Sequence, residues 1–207
     1  GYQRFKEALF NRRIAPGQFV SQAELVGVTG VQLGPMREAV QKLESEGFLK
    51  VMPKRGIQVV EITLKMIRDT YSAQLMIEKE AAHAFAEYAP DKAIRALEKA
   101  HVEFANRMTL KLTPALRSEF HRFDESFHLG LVKALDNGLV LEFYNRNRER
   151  LRLIELSHPY VLTDVMIQAV LDDHLTIIRA CVERDTPRAR QAMQRHLAVG
   201  LKHALGI

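Results

Sequence analysis

PMREAVQKLESEGFLKVMPKRGIQVVEI, residues 35–62, decides how this chain is to be read. Pro35 suits the first turn of a helix, where its missing N–H costs nothing. The stripe Met36, Ala39, Val40 and Leu43 repeats at helical spacing, Arg37, Gln41 and Lys42 point elsewhere, and Gly47 supplies a stop after about Glu46. Phe48 to Met52 and Ile57 to Ile62 are β-type runs joined by the turn Pro53-Lys54-Arg55-Gly56. Upstream, Phe5 to Arg13 reads as a short amphipathic helix ended before Ala15-Pro16-Gly17. Ser21 with Glu24 is a capping-box signal for a second helix that starts near Gln22 and frays at Gly27, with Gly30 in the following turn. Three helices and a basic-tipped hairpin is the order of a winged helix-turn-helix. A small orthogonal bundle with an incidental hairpin is the alternative.

Charge agrees with a segment that meets a polyanion. Residues 1–65 hold 10 Lys and Arg against 6 Asp and Glu, while the whole 207-residue chain carries +5. All eight histidines lie between His83 and His203. The single cysteine, Cys181, excludes an internal disulfide and a CxxC site. No apolar run has the length of a membrane span and no signal-peptide pattern opens the chain, so a cytoplasmic protein is expected.

Ile14-Ala15-Pro16-Gly17, Gly30-Val31, Pro35 to Val40, Leu43 to Leu49 and Arg55-Gly56 together resemble the DNA-binding domain of GntR-family transcription regulators, over nearly all of residues 2–62. The resemblance implies that Arg37 reads a guanine from the recognition helix and that Arg55 and Gly56, beside Lys54, are wing-tip contacts. Where the family has Ser-Arg-Thr before the proline, this chain has Gln32-Leu33-Gly34, so one expected bidentate contact is lost. Gln32 is a residue type that reads adenine, and a solvated glutamine is the alternative.

Beyond Glu61 the periodicity becomes helical. Helices are expected from Leu64 to Ala89 with Thr63 as cap, from Asp91 to about Met108, and from Thr113-Pro114 to Asp136-Asn137-Gly138. Three more follow: Leu139 to Leu156, stopped near His158-Pro159; Thr163-Asp164 to about Glu183; and Thr186-Pro187 to about Leu205. Six such helices make an antiparallel bundle. The expected fold is mainly α: a winged helix-turn-helix domain over 1–62 and an all-α effector-binding and dimerisation domain over 63–207.

Asp124 and His128 lie i,i+4 apart beside the stripe Phe120, Phe127 and Leu131. His174 sits inside the stripe Val170, Leu171, Ile177, Ile178 and Cys181, and His196 follows Ala189, Ala192 and Met193 on an inner face. Three helices thus aim a carboxylate and three imidazoles at one interior, a donor set for a divalent cation. Core imidazoles bonded to backbone carbonyls, or an intrahelical Asp124–His128 pair, are the alternatives. His121 and Glu125 form a rival pair on a face that reads as solvated, and His203 lies one heptad past His196. His83, His101 and His158 read as surface or loop residues.

Phe123-Asp124-x-x-Phe127-His128, Asn137-x-Leu139, Asp173-His174-x-x-Ile177 and His196 resemble the FCD effector domain of the FadR subfamily of GntR regulators, over roughly residues 66–205. The resemblance implies metal ligation by Asp124, His128, His174 and His196, zinc first with nickel or manganese as alternatives. It also implies a pocket in which a small organic acid meets the metal through its carboxylate. Members often carry an arginine near the position of Gln74; Arg148 and Arg152 are candidate substitutes, with surface arginines as the plainer reading. The function expected is therefore a ligand-responsive, homodimeric repressor on a palindromic double-stranded DNA operator. The competing expectation is a metal-dependent hydrolase or lyase. It is weakened by four protein ligands where catalytic zinc usually keeps three, and by the lack of a nucleophile triad, an HExxH motif or a phosphate loop.

Overall fold

The computed structural model describes residues 1–108, 113–157 and 163–206, which divide into two compact units. The first runs from Gly1 to Met66 and includes the residues at the end of a later helix from Leu153. It contains α1 (Tyr2–Phe10), β1 (Phe19–Val20), α2 (Gln22–Thr29), α3 (Leu33–Ser45), β2 (Leu49–Met52) and β3 (Gly56–Val59). α2 begins where the capping box places it. The Glu24 N–H donates to Ser21 Oγ at 3.1 Å, and the Ser21 N–H to Glu24 Oε2 at 2.7 Å. The helix passes straight through Gly27 and stops at Gly30, which takes a left-handed conformation (φ 68°).

α3 buries Met36, Ala39, Val40 and Leu43, as its stripe requires, and exposes Arg37, Gln41 and Lys42. α1 lies about a turn earlier than its expected Phe5 to Arg13. Phe5, Ala8 and Leu9 form its buried face, and Arg12 at φ 57° ends it. The sheet is antiparallel in the order β1-β3-β2, with Val20 opposite Ile57 and Leu49 opposite Val59. β1 was not expected: two residues carry no periodicity, and it exists only through pairing with the hairpin. That pairing makes Gly56 obligatory, because it adopts φ 94° and a Cβ there would lie 3.0 Å from the Val20 carbonyl oxygen. Phe5, Leu9, Leu25, Met36, Leu43, Val59 and Leu153 belong to one core, each contributing about 1.5–3 kcal/mol by burial.

The second unit holds α4 (Leu64–Tyr88, from Ile67), α5 (Asp91–Met108), α6 (Pro114–Lys133), α7 (Gly138–Ser157, to Arg152), α8 (Asp164–Val182) and α9 (Thr186–Leu205). Their starts are chemical. Thr63 Oγ1 accepts from the Met66 N–H, Thr113 Oγ1 from Leu116 and Thr163 Oγ1 from Met166, all within 3.2 Å. α9 is capped by Asp185, whose Oδ1 accepts from the Arg188 N–H at 3.0 Å, one residue before the expected Thr186. Phe127, Leu131, Tyr144, Ile177, Ile178, Cys181 and Met193 form the main core, and Ala81, Ala82, Ala86, Ala189 and Ala192 allow the helices to approach closely. The expected stop at His158-Pro159 lies outside the described residues.

Candidate functional site

One turn of α6 separates Asp124 from His128, so both side chains leave the helix on the same side, next to the buried Phe120, Phe127 and Leu131. α8 brings His174 and α9 brings His196 to the same point. His128 Nε2 and His196 Nε2 are 3.3 Å apart. Asp124 Oδ1 lies 3.6 Å from His174 Nε2 and 3.8 Å from His128 Nε2. The three imidazoles are buried, while the Asp124 side chain keeps 27% exposure and forms the open side of the cluster.

These four residues fit a divalent cation. Ligand atoms at bond lengths of about 2.0–2.1 Å around a tetrahedral ion stand roughly 3.3–3.5 Å apart; here the donor pairs named above lie 3.3–3.8 Å apart, and the donor atoms of the three imidazoles all lie within 4.8 Å of one another. The sharper observation is His174. Both of its ring nitrogens are buried without a hydrogen-bond partner, and Phe127 stacks on the ring at 3.9 Å. Burial, then the neighbouring His196, His128 and His101, pushes the His174 pKa well below the usual imidazole value. A neutral ring with an idle lone pair among other donors is what a metal satisfies.

Behind the cluster lies a residue the sequence reading missed. Glu78 of α4 is fully buried; its Oε2 meets His128 Nδ1 at 2.5 Å, and its Oε1 accepts from Tyr144 Oη and Gln74 Nε2, each at 2.7 Å. Burial alone would raise its pKa, but the His128 charge and hydrogen bond, with those of Tyr144 and Gln74, outweigh it and hold Glu78 down to about 2. Burial likewise works against the His128 cation, and Glu78 overcomes it, raising that pKa. A carboxylate on Nδ1 fixes the ring so that Nε2 faces the other donors. The signal was in the pattern: Gln74 and Glu78 stand i,i+4 on the stripe of Ile67, Tyr71, Ala81, Ala82 and Phe85. His196 has a looser counterpart, Asp173 Oδ2 at 3.4 Å from its Nδ1.

The remaining expectations divide. His101 is not a surface residue: it is 1% exposed, because its place on α5 between Ile94 and Phe104 turns it into the core against Phe123 and Phe127. His83 is half-buried beside Glu87, His121 and His203 are exposed, and His158 lies outside the described residues. Glu125 faces outward and pairs with Arg148 at 3.8 Å. The Arg148 side chain is only 16% exposed, and its charge acts on His128 and Tyr144, whereas Arg152 is exposed. Gln74 spends its amide donor on Glu78.

In the first unit, Arg37 stands on the exposed face of α3, with Nε 3.4 Å from Gln22 Oε1. Gln32 occupies the N-cap position of α3 with its side chain unused for capping and exposed. Lys54 (φ 62°) and Arg55 lie in the tip between β2 and β3, Gly56 opens β3, and the Arg55 guanidinium lies 5.0 Å over the Phe19 ring.

Two family profiles match the chain: "FCD domain" over residues 69–199 and "Bacterial regulatory proteins, gntR family" over residues 2–59. The uncharacterized HTH-type transcriptional regulator YdhC of Bacillus subtilis is 24% identical over 215 residues, covering 99% of this chain and 90% of that protein. The HTH-type transcriptional repressor GlaR of Escherichia coli is also 24% identical, over 95% of this chain and 90% of its own length. Among solved structures, E. coli McbR/YncC superposes with a TM-score of 0.70 at 16% identity, covering 99% and 95% of the two chains, a likeness of fold.

Proposed function

Because the chain belongs to the gntR family of bacterial regulatory proteins and carries an FCD domain, and so is a DNA-binding transcription regulator rather than an enzyme, we propose that it is a metal-anchored sensor of a small carboxylic acid. Residues 1–62 bind DNA and residues 63–207 bind the effector and the second protomer. Asp124, His128, His174 and His196 hold the cation, zinc by preference over nickel or manganese. The bound metal supplies a Lewis-acid position for the effector's carboxylate. Arg148, nearly buried beside the cluster, is the side chain best placed to balance the acid's charge, ahead of Gln74 or the exposed Arg152. Arg37 and Gln32 read base edges in the major groove, and Lys54, Arg55 and Gly56 meet the sugar–phosphate backbone at the wing. A homodimer on a palindromic operator follows from the match between two-fold protein and two-fold DNA. Repression is the sense borne by the name of the relative GlaR. Among the described residues no helix is long and apolar enough to cross a membrane, and a cytoplasmic site of action suits a protein that binds DNA.

One observation carries the metal reading: the two unpartnered nitrogens of buried His174 within a convergent set of donors. The test is a thermal melt of the metal-loaded protein against a panel of small carboxylic and sugar acids, with and without chelator. An acid at 100 times its Kd adds about 2.7 kcal/mol, or about 5–10 °C for a domain of this size. The expected shift vanishes with chelator. A shift that survives chelation removes the metal from the binding of the acid, and no shift from any acid, with chelator alone lowering the melt, makes the metal structural.

A further inference from the structure

Two of the three ligand imidazoles have an acceptor behind them, and the third lacks one. His128 Nδ1 meets Glu78 and His196 Nδ1 faces Asp173, but His174 Nδ1 is buried with no partner. With Nε2 turned toward Asp124, a neutral His174 carries its hydrogen on Nδ1 and needs an acceptor there.

His101 offers one. Its Nδ1 lies 2.8 Å from the Leu97 carbonyl oxygen. A carbonyl only accepts, so that nitrogen bears the hydrogen and Nε2 keeps a lone pair. His101 Nε2 is itself buried with no partner. The rings of His101 and His174 have centroids 5.4 Å apart at 66°. Two imidazoles joined by an N–H···N bond of about 2.9 Å have centroids roughly 5 Å apart, so the observed ring spacing is that of a bonded pair to within a few tenths of an ångström. Phe123 and Phe127, with centroids at 4.5 and 5.0 Å, hold the His101 ring in place.

We propose that His101 is a positioning residue of the metal centre, acting on His174. Its Nε2 accepts the Nδ1–H of His174, so that a chain from the Leu97 carbonyl through His101 fixes the tautomer of His174 and keeps that ring's Nε2 aimed at the cation. This rests on the metal reading above and extends it to a residue that touches neither the cation nor the acid.

The experiment titrates zinc into metal-stripped full-length protein against a chromophoric chelator, for wild type, His101→Phe and His101→Gln, and follows the melting of each metal-free protein. His101→Phe is expected to leave the metal-free melt near the wild-type value and to weaken zinc binding about 10- to 100-fold. His101→Gln, whose amide oxygen accepts, recovers most of the loss. Equal zinc affinity in wild type and His101→Phe overturns the proposal while leaving the metal reading intact. A wild type that takes up no zinc overturns both. Nitrogen-15 spectra of the histidine rings in zinc-loaded wild type give an answer free of any folding defect. The expected pattern is a hydrogen on Nδ1 of both His101 and His174; a His101 protonated on Nε2 overturns the proposal.

Discussion

Replacing Glu78 with glutamine should weaken metal binding by one to two orders of magnitude and leave the bundle folded. The carboxylate faces three groups: His128 Nδ1 on one oxygen, Tyr144 Oη and Gln74 Nε2 on the other. A glutamine amide has one oxygen and one NH₂. With its oxygen toward Tyr144 and Gln74, it keeps two hydrogen bonds and turns the NH₂ to His128 Nδ1. That nitrogen must then accept, which moves the ring hydrogen to Nε2, the atom that faces His196 and Asp124. The substitution therefore removes a charge-assisted bond worth about 1.5–3 kcal/mol and sets the ring in the tautomer that opposes ligation. At about 1.4 kcal/mol per factor of ten, the loss is roughly 10- to 100-fold in affinity. That range agrees with the general effect of removing the group behind a ligating histidine. Zinc titration against a chelator at neutral pH measures the loss, and melting of the metal-free variant checks the fold. Wild-type affinity in a folded Glu78→Gln protein would refute the reasoning, because then Glu78 only fills space.

Arg37→Ala should cost about 1–3 kcal/mol of specific operator affinity and relax preference at one base pair, read by binding competition between operator and unrelated DNA; equal loss on both DNAs would make Arg37 a phosphate contact. Burial, which outweighs the nearby Arg184, pushes the Cys181 thiol up to about 12. The folded protein should therefore resist thiol reagents at about pH 8.5 and react on unfolding. The sign for stability follows: an unfolded thiol ionises first, so this group favours unfolding as pH rises from about 9 toward 12.

The helices could be read in advance because their ends are written in side chains. Ser21 with Glu24, Thr113 before Pro114 and Thr163 each make the hydrogen bond that the spacing calls for. β1 could not, since two residues have no period and their pairing with β3 joins segments far apart in sequence. The four convergent donors were legible because a histidine or aspartate on an apolar stripe stands out. Glu78 and His101 obey the same rule on α4 and α5, yet Glu78 draws no reading from the sequence and His101 reads as a surface or loop residue. Glutamate is common on helices, and no motif pointed to His101. What periodicity lacks is the third dimension. Nothing along the chain says that Glu78 meets His128, 50 residues away.

The half-exposed Asp124 beside three sunken imidazoles also has a consequence at the bench. Its 27% exposure leaves one side of the cluster open to solvent, and imidazole-rich sites accept nickel and copper as well as zinc. On the proposed metal reading, protein passed over an immobilised-nickel column is expected to leave it carrying nickel. The metal content of such a preparation would then record its purification history, and material isolated without metal resins is the one that tests which cation the cell supplies.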